Sequence, residues 1–258
     1  MKFIHLLISV LFVAFLASCG GNSNSPERIS SQSFVAENIS LDHQLSALLK
    51  TDSSVTLSGP QSSKIYELEN LVNKFAESQS GENLNAVSGA WTTVETNEIP
   101  RMMNDSLPSG ILSKWIDLTI QLLKLTGEVR FGDALENILY KSNTPEFSVD
   151  QLKSVIYTHV DDKIYFNILG SSSFVYQHTT GGNVRFIQKT QYPAGNEMVL
   201  TSELSDVRYM DVFIRIPSWA KDPSVTHGNV KYVARPGEYC EIFRKWKNGD
   251  EIVVKLIN

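Results

Sequence analysis

The chain has 258 residues, 42% hydrophobic and 20% charged, with a formal net charge of −5. So mild an acidic balance, without a basic cluster, excludes a groove-binding nucleic-acid partner. Past the first residues no stretch approaches the roughly 20 apolar residues of a membrane span.

Lys2 opens the chain with a positive charge, and Phe3 to Phe15 form an almost unbroken apolar run interrupted by His5 and Ser9. Leu16-Ala17-Ser18-Cys19 closes it with small residues before a cysteine. The run is too short for a permanent span and reads as a secretory signal over residues 1–18. Its small-small-Cys ending resembles the lipobox of bacterial lipoproteins, which implies lipidation of Cys19 and a lipid anchor in a membrane. Gly20 stands where an aspartate is associated with inner-membrane retention, so the expected address is the outer membrane. With Cys19 lipidated, Cys240 is left alone, and neither an intrachain disulfide nor a multi-cysteine metal site can be built.

Residues 19–63 are rich in Ser, Asn, Gln and Gly and read as the lipidated cysteine with a flexible tether, broken by a short helix over Asn38–Leu49. A helical region is expected over residues 64–148. Ile65, Leu68, Leu71, Val72, Phe75 and Ala76 share one helical face. Gly81 to Asn104, punctuated by Gly89 and Pro100, reads as loop with a short strand. Ile111, Leu112, Trp115, Ile116, Thr119, Leu122 and Leu123 line a second stripe, stopped by Thr126-Gly127. Phe131, Ala134, Leu135, Ile138 and Leu139 line a third, so the short Gly127-Glu128 turn predicts a helical hairpin over residues 110–141. The apolar face of that hairpin needs a cover, and the Ile65–Ser78 helix is the expected one.

From residue 149 to 258 the pattern changes to short β-branched and aromatic runs. These are Val155-Ile156-Tyr157, Ile164-Tyr165-Phe166, Phe174-Val175-Tyr176, Val184 to Ile187, Val212 to Ile214, Tyr239 to Phe243 and Ile252 to Leu256. Turn signals at Asp161-Asp162, Gly181-Gly182, Gly195-Asn196 and Asn248-Gly249 separate them, which predicts an antiparallel β-sandwich. The fold class is thus α+β, a short helical piece followed by a sandwich. Pro217 should end a strand at Arg215-Ile216, and Trp219 and Trp246 need covering by the other domain or the hairpin.

Several phrases carry a family resemblance. Trp115 to Tyr140, with Leu122-Leu123-Lys124-Leu125-Thr126-Gly127, Asp133, Glu136 and Leu139-Tyr140, is followed by Gln188-Lys189-Thr190-Gln191-Tyr192-Pro193. Arg215-Ile216-Pro217-Ser218-Trp219, Pro236-Gly237-Glu238-Tyr239 and Arg244-Lys245-Trp246-Lys247-Asn248-Gly249-Asp250 come next, in order. Over roughly residues 108–258 the chain resembles the β-L-arabinofuranosidase family of glycoside hydrolases, family 127, as a shortened relative. The resemblance implies a barrel of paired helices, of which one hairpin is kept, ahead of β-sandwich domains. It also implies a zinc-bound cysteine nucleophile and a glutamate acid/base. The family places a Glu-x-Cys just before the hairpin, about Pro108-Ser109-Gly110 here, and adjacent cysteines between hairpin and sandwich, at Lys141 to Leu152. Neither stretch contains a cysteine. No catalytic residue, metal ligand or cofactor is therefore assigned.

Other constellations are weak. Glycosidases need two carboxylates across a cleft, and Glu95, Glu98, Asp105, Asp133, Glu136, Asp161 and Asp162 are candidates. Asp133 and Glu136 share a helix face, where acids are usually solvated or capping groups. His43, His159, His178 and His227 lack metal-ligand spacing, although His159 and His178 fall on strands that could approach. Ser171-Ser172-Ser173 lacks an esterase turn, Thr179 to Asn183 reads as a hairpin loop, and Glu238 and Glu241 beside Cys240 disfavour its thiolate. Trp91 and Trp219 are the candidate glycan-stacking residues. The reading is a non-catalytic envelope lipoprotein, glycan-associated or accessory, with a protein partner unspecified. The alternatives are an active hydrolase of arabinose-containing or related glycans and a structural envelope interaction protein.

Overall fold

The computed structural model describes residues 34–35, 38–50, 62–104, 109–142 and 146–257. The signal segment, Cys19 and Asp105 lie outside them. No described helix is long and apolar enough to cross a membrane.

Two short strands, β1 (Phe34–Val35) and β2 (Ser40–Leu41), precede helix α1 (His43–Ser46). Asp42 caps α1 by accepting the Leu45 N–H at 2.8 Å. These elements lie within the expected tether, yet β1 pairs with the smaller sheet and β2 with the larger one. Leu45 and Leu49 are buried in the main core. Apolar side chains among the polar residues thus dock this part of the tether.

Helices α2 (Ser62–Ser78), α3 (Gly81–Asn97), α4 (Ile99–Asn104), α5 (Ser109–Thr126) and α6 (Val129–Lys141) follow. The hairpin stands as expected, α5 and α6 being joined at Gly127, whose φ of 68° suits a residue without Cβ. Helix α2 packs on α3 and on α5, giving the hairpin its cover. The loop expected over Gly81 to Asn104 is instead α3 and α4. Ser80 caps α3 through the Asn83 N–H, and Val87, Trp91 and Val94 put a buried stripe on it at helical spacing. Pro100 sits in the first turn of α4, where its missing N–H costs nothing.

Helix α7 (Val149–Val155) occupies the residues where strands were expected to begin, closed by a capping box between Ser148 and Gln151. The strands are β3 (Tyr157–Val160), β4 (Lys163–Phe166), β5 (Ser172–Gln177), β6 (Asn183–Thr190), β7 (Glu197–Leu204), β8 (Arg208–Arg215), β9 (Ser224–His227), β10 (Val230–Tyr232), β11 (Tyr239–Trp246) and β12 (Glu251–Lys255). They form a five-stranded sheet in the order β1-β3-β4-β8-β11 and a seven-stranded sheet in the order β10-β9-β12-β7-β6-β5-β2. Pairing is antiparallel except for β4 with β8, which run parallel. That one pair departs from the wholly antiparallel expectation; β4 and β8 are not joined by a hairpin turn, so no turn fixes their relative direction.

Aromatic rings fill the space between the sheets. Phe166 of β4 meets Phe186 of β6 edge-on at 5.6 Å, and Tyr157 of β3 meets Phe174 of β5 at 4.4 Å. Trp246 is fully buried, packs edge-on to Phe186 at 5.3 Å and donates to the Met210 carbonyl. Its cover is therefore the opposite sheet, not the hairpin. The Asn248-Gly249 turn does not join a hairpin: it carries the chain from β11 in one sheet to β12 in the other. Strand β8 ends at Arg215 ahead of Pro217, as the proline requires.

Candidate functional site

Helix α6 meets the end of β8 through one buried cation. Arg215 is wholly buried and forms ion pairs with Asp133 and Glu136 of α6, while its Nε donates to the Asn167 carbonyl. Asp133 also accepts the Ser218 N–H at 3.0 Å, and Glu136 the Leu169 N–H at 2.7 Å. Tyr239 donates to the Asn167 side chain at 2.6 Å, and Tyr140 to the Leu169 carbonyl. Gly132 makes room for this arrangement: a Cβ there would lie 2.6 Å from Cδ and 2.8 Å from Nε of Arg215.

Asp133 and Glu136 are thus not the solvated or capping acids expected of such a pair. Glu136 is 2% exposed, and both bind the guanidinium. Burial pushes the Glu136 carboxyl up, against the opposing pull of Arg215 and the Leu169 N–H. The signal was present in sequence: two acids flank the inward stripe of α6, and buried acids demand a cation. Arg215 supplies it from 82 residues away, at a distance sequence spacing does not reveal.

Beside this node lies a cleft of about 340 Å³, lined by Glu95, Asp133, Glu136, Asn137, Tyr140, Tyr192, Ser218 and Trp219 among others. A second cleft of about 510 Å³ shares Glu95, Ala134, Asn137 and Lys141 with it and reaches Trp115. Trp219 is partly exposed and stacks on Tyr192, with ring centroids 5.8 Å apart and planes 2° from parallel. Tyr140 meets Tyr192 edge-on at 5.0 Å. Glu95 is raised above its ordinary value by burial, with Arg130 pulling it down and Asp133 adding to the rise.

The other candidate acids are elsewhere. Glu98 pairs with Lys64 at 2.8 Å. Asp161 lies in the β3–β4 turn with φ of 51°. Asp162 accepts the Thr179 N–H and hydroxyl and lies 3.3 Å from His178 Nε2. His178 is buried, with Nδ1 facing the Thr180 N–H and hydroxyl. His159 is separated from it by the Tyr176 ring, 5.6 Å from one and 6.5 Å from the other. His227 faces the Glu251 carbonyl, and His43 lies on α1. Ser171 and Ser172 donate to the backbone carbonyls of Thr190 and Gly170. Thr179 to Gly182 form the β5–β6 loop, with strand following it rather than helix.

Trp91 is not a stacking surface for a ligand. It is 1% exposed, donates to Thr119 at 2.9 Å, stacks on Trp115 and meets Phe131 edge-on. Its stripe faces the hairpin, so it serves as cover for α5 and α6.

Of the two segments to which the family resemblance assigns cysteines, the second reaches α5 a few residues beyond the first. Gln151 of α7 donates to the Ser113 hydroxyl at 3.1 Å and to Asp117 at 2.8 Å, both on α5. Amide, hydroxyl and one carboxylate hold each other there, and no thiolate is supplied, so the donor set does not fit a zinc-thiolate centre. Among the described residues no group of three His, Cys, Asp or Glu could hold a metal ion. Cys240 lies on β11 opposite Ile214, fully buried, and burial with Glu241 nearby pushes its thiol up to about 12.

Residues 163–257 match the family model described as β-L-arabinofuranosidase, GH127 middle domain. A solved structure described as a glycoside hydrolase shares the fold with a TM-score of 0.60 at 17% identity, over 75% of this chain and 46% of its own. A GH127 β-arabinofuranosidase structure does so with a TM-score of 0.60 at 16% identity, over 75% of this chain and 42% of its own. No curated protein sequence matches. The chain spans less than half the length of either structure. In its strand-rich part it resembles the middle domain of the GH127 β-L-arabinofuranosidases.

Proposed function

We propose that this chain is an envelope lipoprotein, anchored through Cys19, with a non-catalytic, glycan-associated accessory role. The observation that carries the non-catalytic part is the use of the two helix acids. Asp133 and Glu136 are bound to Arg215 and to backbone N–H groups, which leaves them little freedom to exchange protons with a substrate. The donor set between α5 and α7 supports the same reading, since the chemistry implied by the family resemblance needs thiolates that those residues do not provide. The glycan association rests on the relatives, described as glycoside hydrolases, and on the cleft beside Trp219.

A second reading, an active glycan hydrolase, is favoured by one specific feature. Glu95 lines the same cleft as Asp133 and is raised by burial, the condition of a general acid beside an ionised partner. Incubating the protein with arabinofuranosides, with and without zinc, separates the two. The proposal predicts no turnover in either condition. Hydrolysis that survives Cys240→Ala and is abolished by Glu95→Gln would replace it with the second reading. Fractionation of cells producing Cys19→Ala tests the anchor: the variant is expected in the soluble fraction, the wild type in the membrane.

A further inference from the structure

Strand β11 ends the five-stranded sheet, with β8 on one side and, among the described residues, no strand on the other. Which of its backbone groups face outward follows from two bonds beside the β8–β11 ladder. The Ile216 N–H donates to the Glu238 carbonyl at 2.9 Å, which makes residues 216 and 238 a bonded step of that pair. The Asp211 N–H donates to the Asp162 carbonyl at 3.0 Å, toward β4, so the Asp211 backbone is turned away from Phe243 across from it on β11. Bonded and non-bonded pairs alternate along an antiparallel ladder, and both observations set the same phase. Cys240, Ile242 and Arg244 bond to β8, while Glu241, Phe243 and Lys245 point their N–H and C=O groups past the edge. Among the described residues these groups have no backbone partner, and the Lys245 carbonyl alone has a side-chain one, the Nε of its neighbour Arg244 at 3.2 Å.

An open edge of eight residues is a template for another strand, and charges on an edge are the usual guard against indiscriminate pairing. Here the charges have both signs. Glu241 and Lys245 are exposed and stand two residues either side of Phe243, which is 49% exposed. Among the described residues neither is held in an ion pair. Laid antiparallel on a copy of itself about a two-fold axis at Phe243, β11 sets each Glu241 across from Lys245 of the second copy, and Phe243 across from its own copy. The three outward-facing residues then all fall at bonded positions. Charge match and hydrogen-bond phase thus select the same register. Parallel in-register pairing would instead set like charges beside each other, which is unfavourable.

Exposed apolar side chains gather on the same strands. Of the eight large ones among the described residues, five are Val207, Tyr209, Val230, Val233 and Phe243. They lie on β11, on or just before its partner β8, or on and just after β10, from which the chain leads into β11. Apolar surface gathered in this way fits a protein contact better than water. We propose that two copies of this chain pair through β11, antiparallel about Phe243, and so join their five-stranded sheets into one continuous sheet. The assignment is independent of the glycan-associated reading above.

Sedimentation equilibrium of the full-length protein in a density-matched detergent tests it. The wild type is expected to dimerise with a Kd of about 1–100 μM, as for a small interface. Glu241→Lys and Lys245→Glu each make both symmetry-related pairs repulsive and should weaken the dimer about tenfold or more. Combining Glu241→Lys with Lys245→Glu restores opposite charges across the axis and should return the Kd to within about threefold of the wild type. Both positions are exposed, so the melting temperature of the monomer should not move in any of the three variants. A wild type that stays monomeric at about 1 mM overturns the proposal. So does a dimer that both single variants leave unchanged, since its contact then lies on another face or in a shared micelle. A double variant as weak as the single ones, with an unchanged melt, excludes this register and overturns the proposal as well.

Discussion

Arg215 shows how much one side chain can decide. A guanidinium with no exposure is stable only because Asp133, Glu136 and the Asn167 carbonyl surround it. Replacing it with methionine, close in length and without charge, leaves Glu136 buried with only the Leu169 N–H to satisfy it. Breaking a buried pair in this way costs about 3–5 kcal/mol, and urea denaturation of Arg215→Met should show a loss of that size. Gly132→Ala should destabilise for a different reason. Its new methyl would press on the Arg215 stem, which is held at its far end by two carboxylates and cannot swing aside. The expected loss is about 1–3 kcal/mol, as for overpacking in a core, and Gly89→Ala on α3, where nothing lies within 4 Å, is the neutral comparison. Both acids and the arginine were visible in the sequence as separate motif residues. Their meeting was not, because the partners lie on different elements.

At the scale of elements, α7 illustrates how a short helix is held. Seven residues cannot sustain a helix alone. The Ser148–Gln151 capping box satisfies its first N–H groups, while the Gln151 amide reaches across to Ser113 and Asp117. Gln151→Ala removes the side-chain half of the capping box and the tie together, while the Ser148 hydroxyl still accepts the N–H of residue 151, and a loss of about 1 kcal/mol is expected in thermal or urea melts. Restoring only the capping interaction with Gln151→Glu should recover part of it, since a carboxylate can cap but cannot donate to Asp117. The same scale explains why Gly81 to Asn104 is helical and not the loop expected from its glycine and proline. Gly89 and Pro100 are the usual marks of irregular chain, but Val87, Trp91 and Val94 bury a stripe at helical spacing. Neither residue breaks a helix here: Gly89 lies inside α3, and Pro100 opens α4.

Across the whole molecule, helices and sandwich are joined by polar ties from α6 to the segments around Leu169 and Arg215, and by Gly170, which packs against Leu45 and Tyr140. A single cooperative thermal transition is the expected outcome, followed by calorimetry and by tryptophan fluorescence, with Trp91 and Trp115 reporting the helices and Trp246 the sandwich. Two separated transitions in the wild type would contradict that coupling. Stability should also depend on pH through Glu95. Its folded carboxyl is raised above the usual 4.5, mainly by burial, so ionisation works against the native state. The favourable contribution is present below pH 4.5 and is lost as pH rises through the raised value. Glu95→Gln should therefore melt higher than the wild type at neutral pH, with the difference closing near pH 4.

Local patterning determined a good part of this protein. The α5–α6 hairpin follows from apolar stripes of helical period and a glycine stop, and most sandwich strands from aromatic and β-branched runs between turns. Those signals act over neighbouring residues, and so can be read along the chain. Tertiary structure alone decided the rest. It put β4 beside β8 in parallel, docked β1 and β2 on two different sheets, sank Trp91 and left Trp219 at a cleft. It also turned Asp133 and Glu136 from apparent surface acids into the seat of a buried arginine. Each of these depends on contacts between residues far apart in sequence, whose gain in burial and charge pairing is fixed by packing and not by local period.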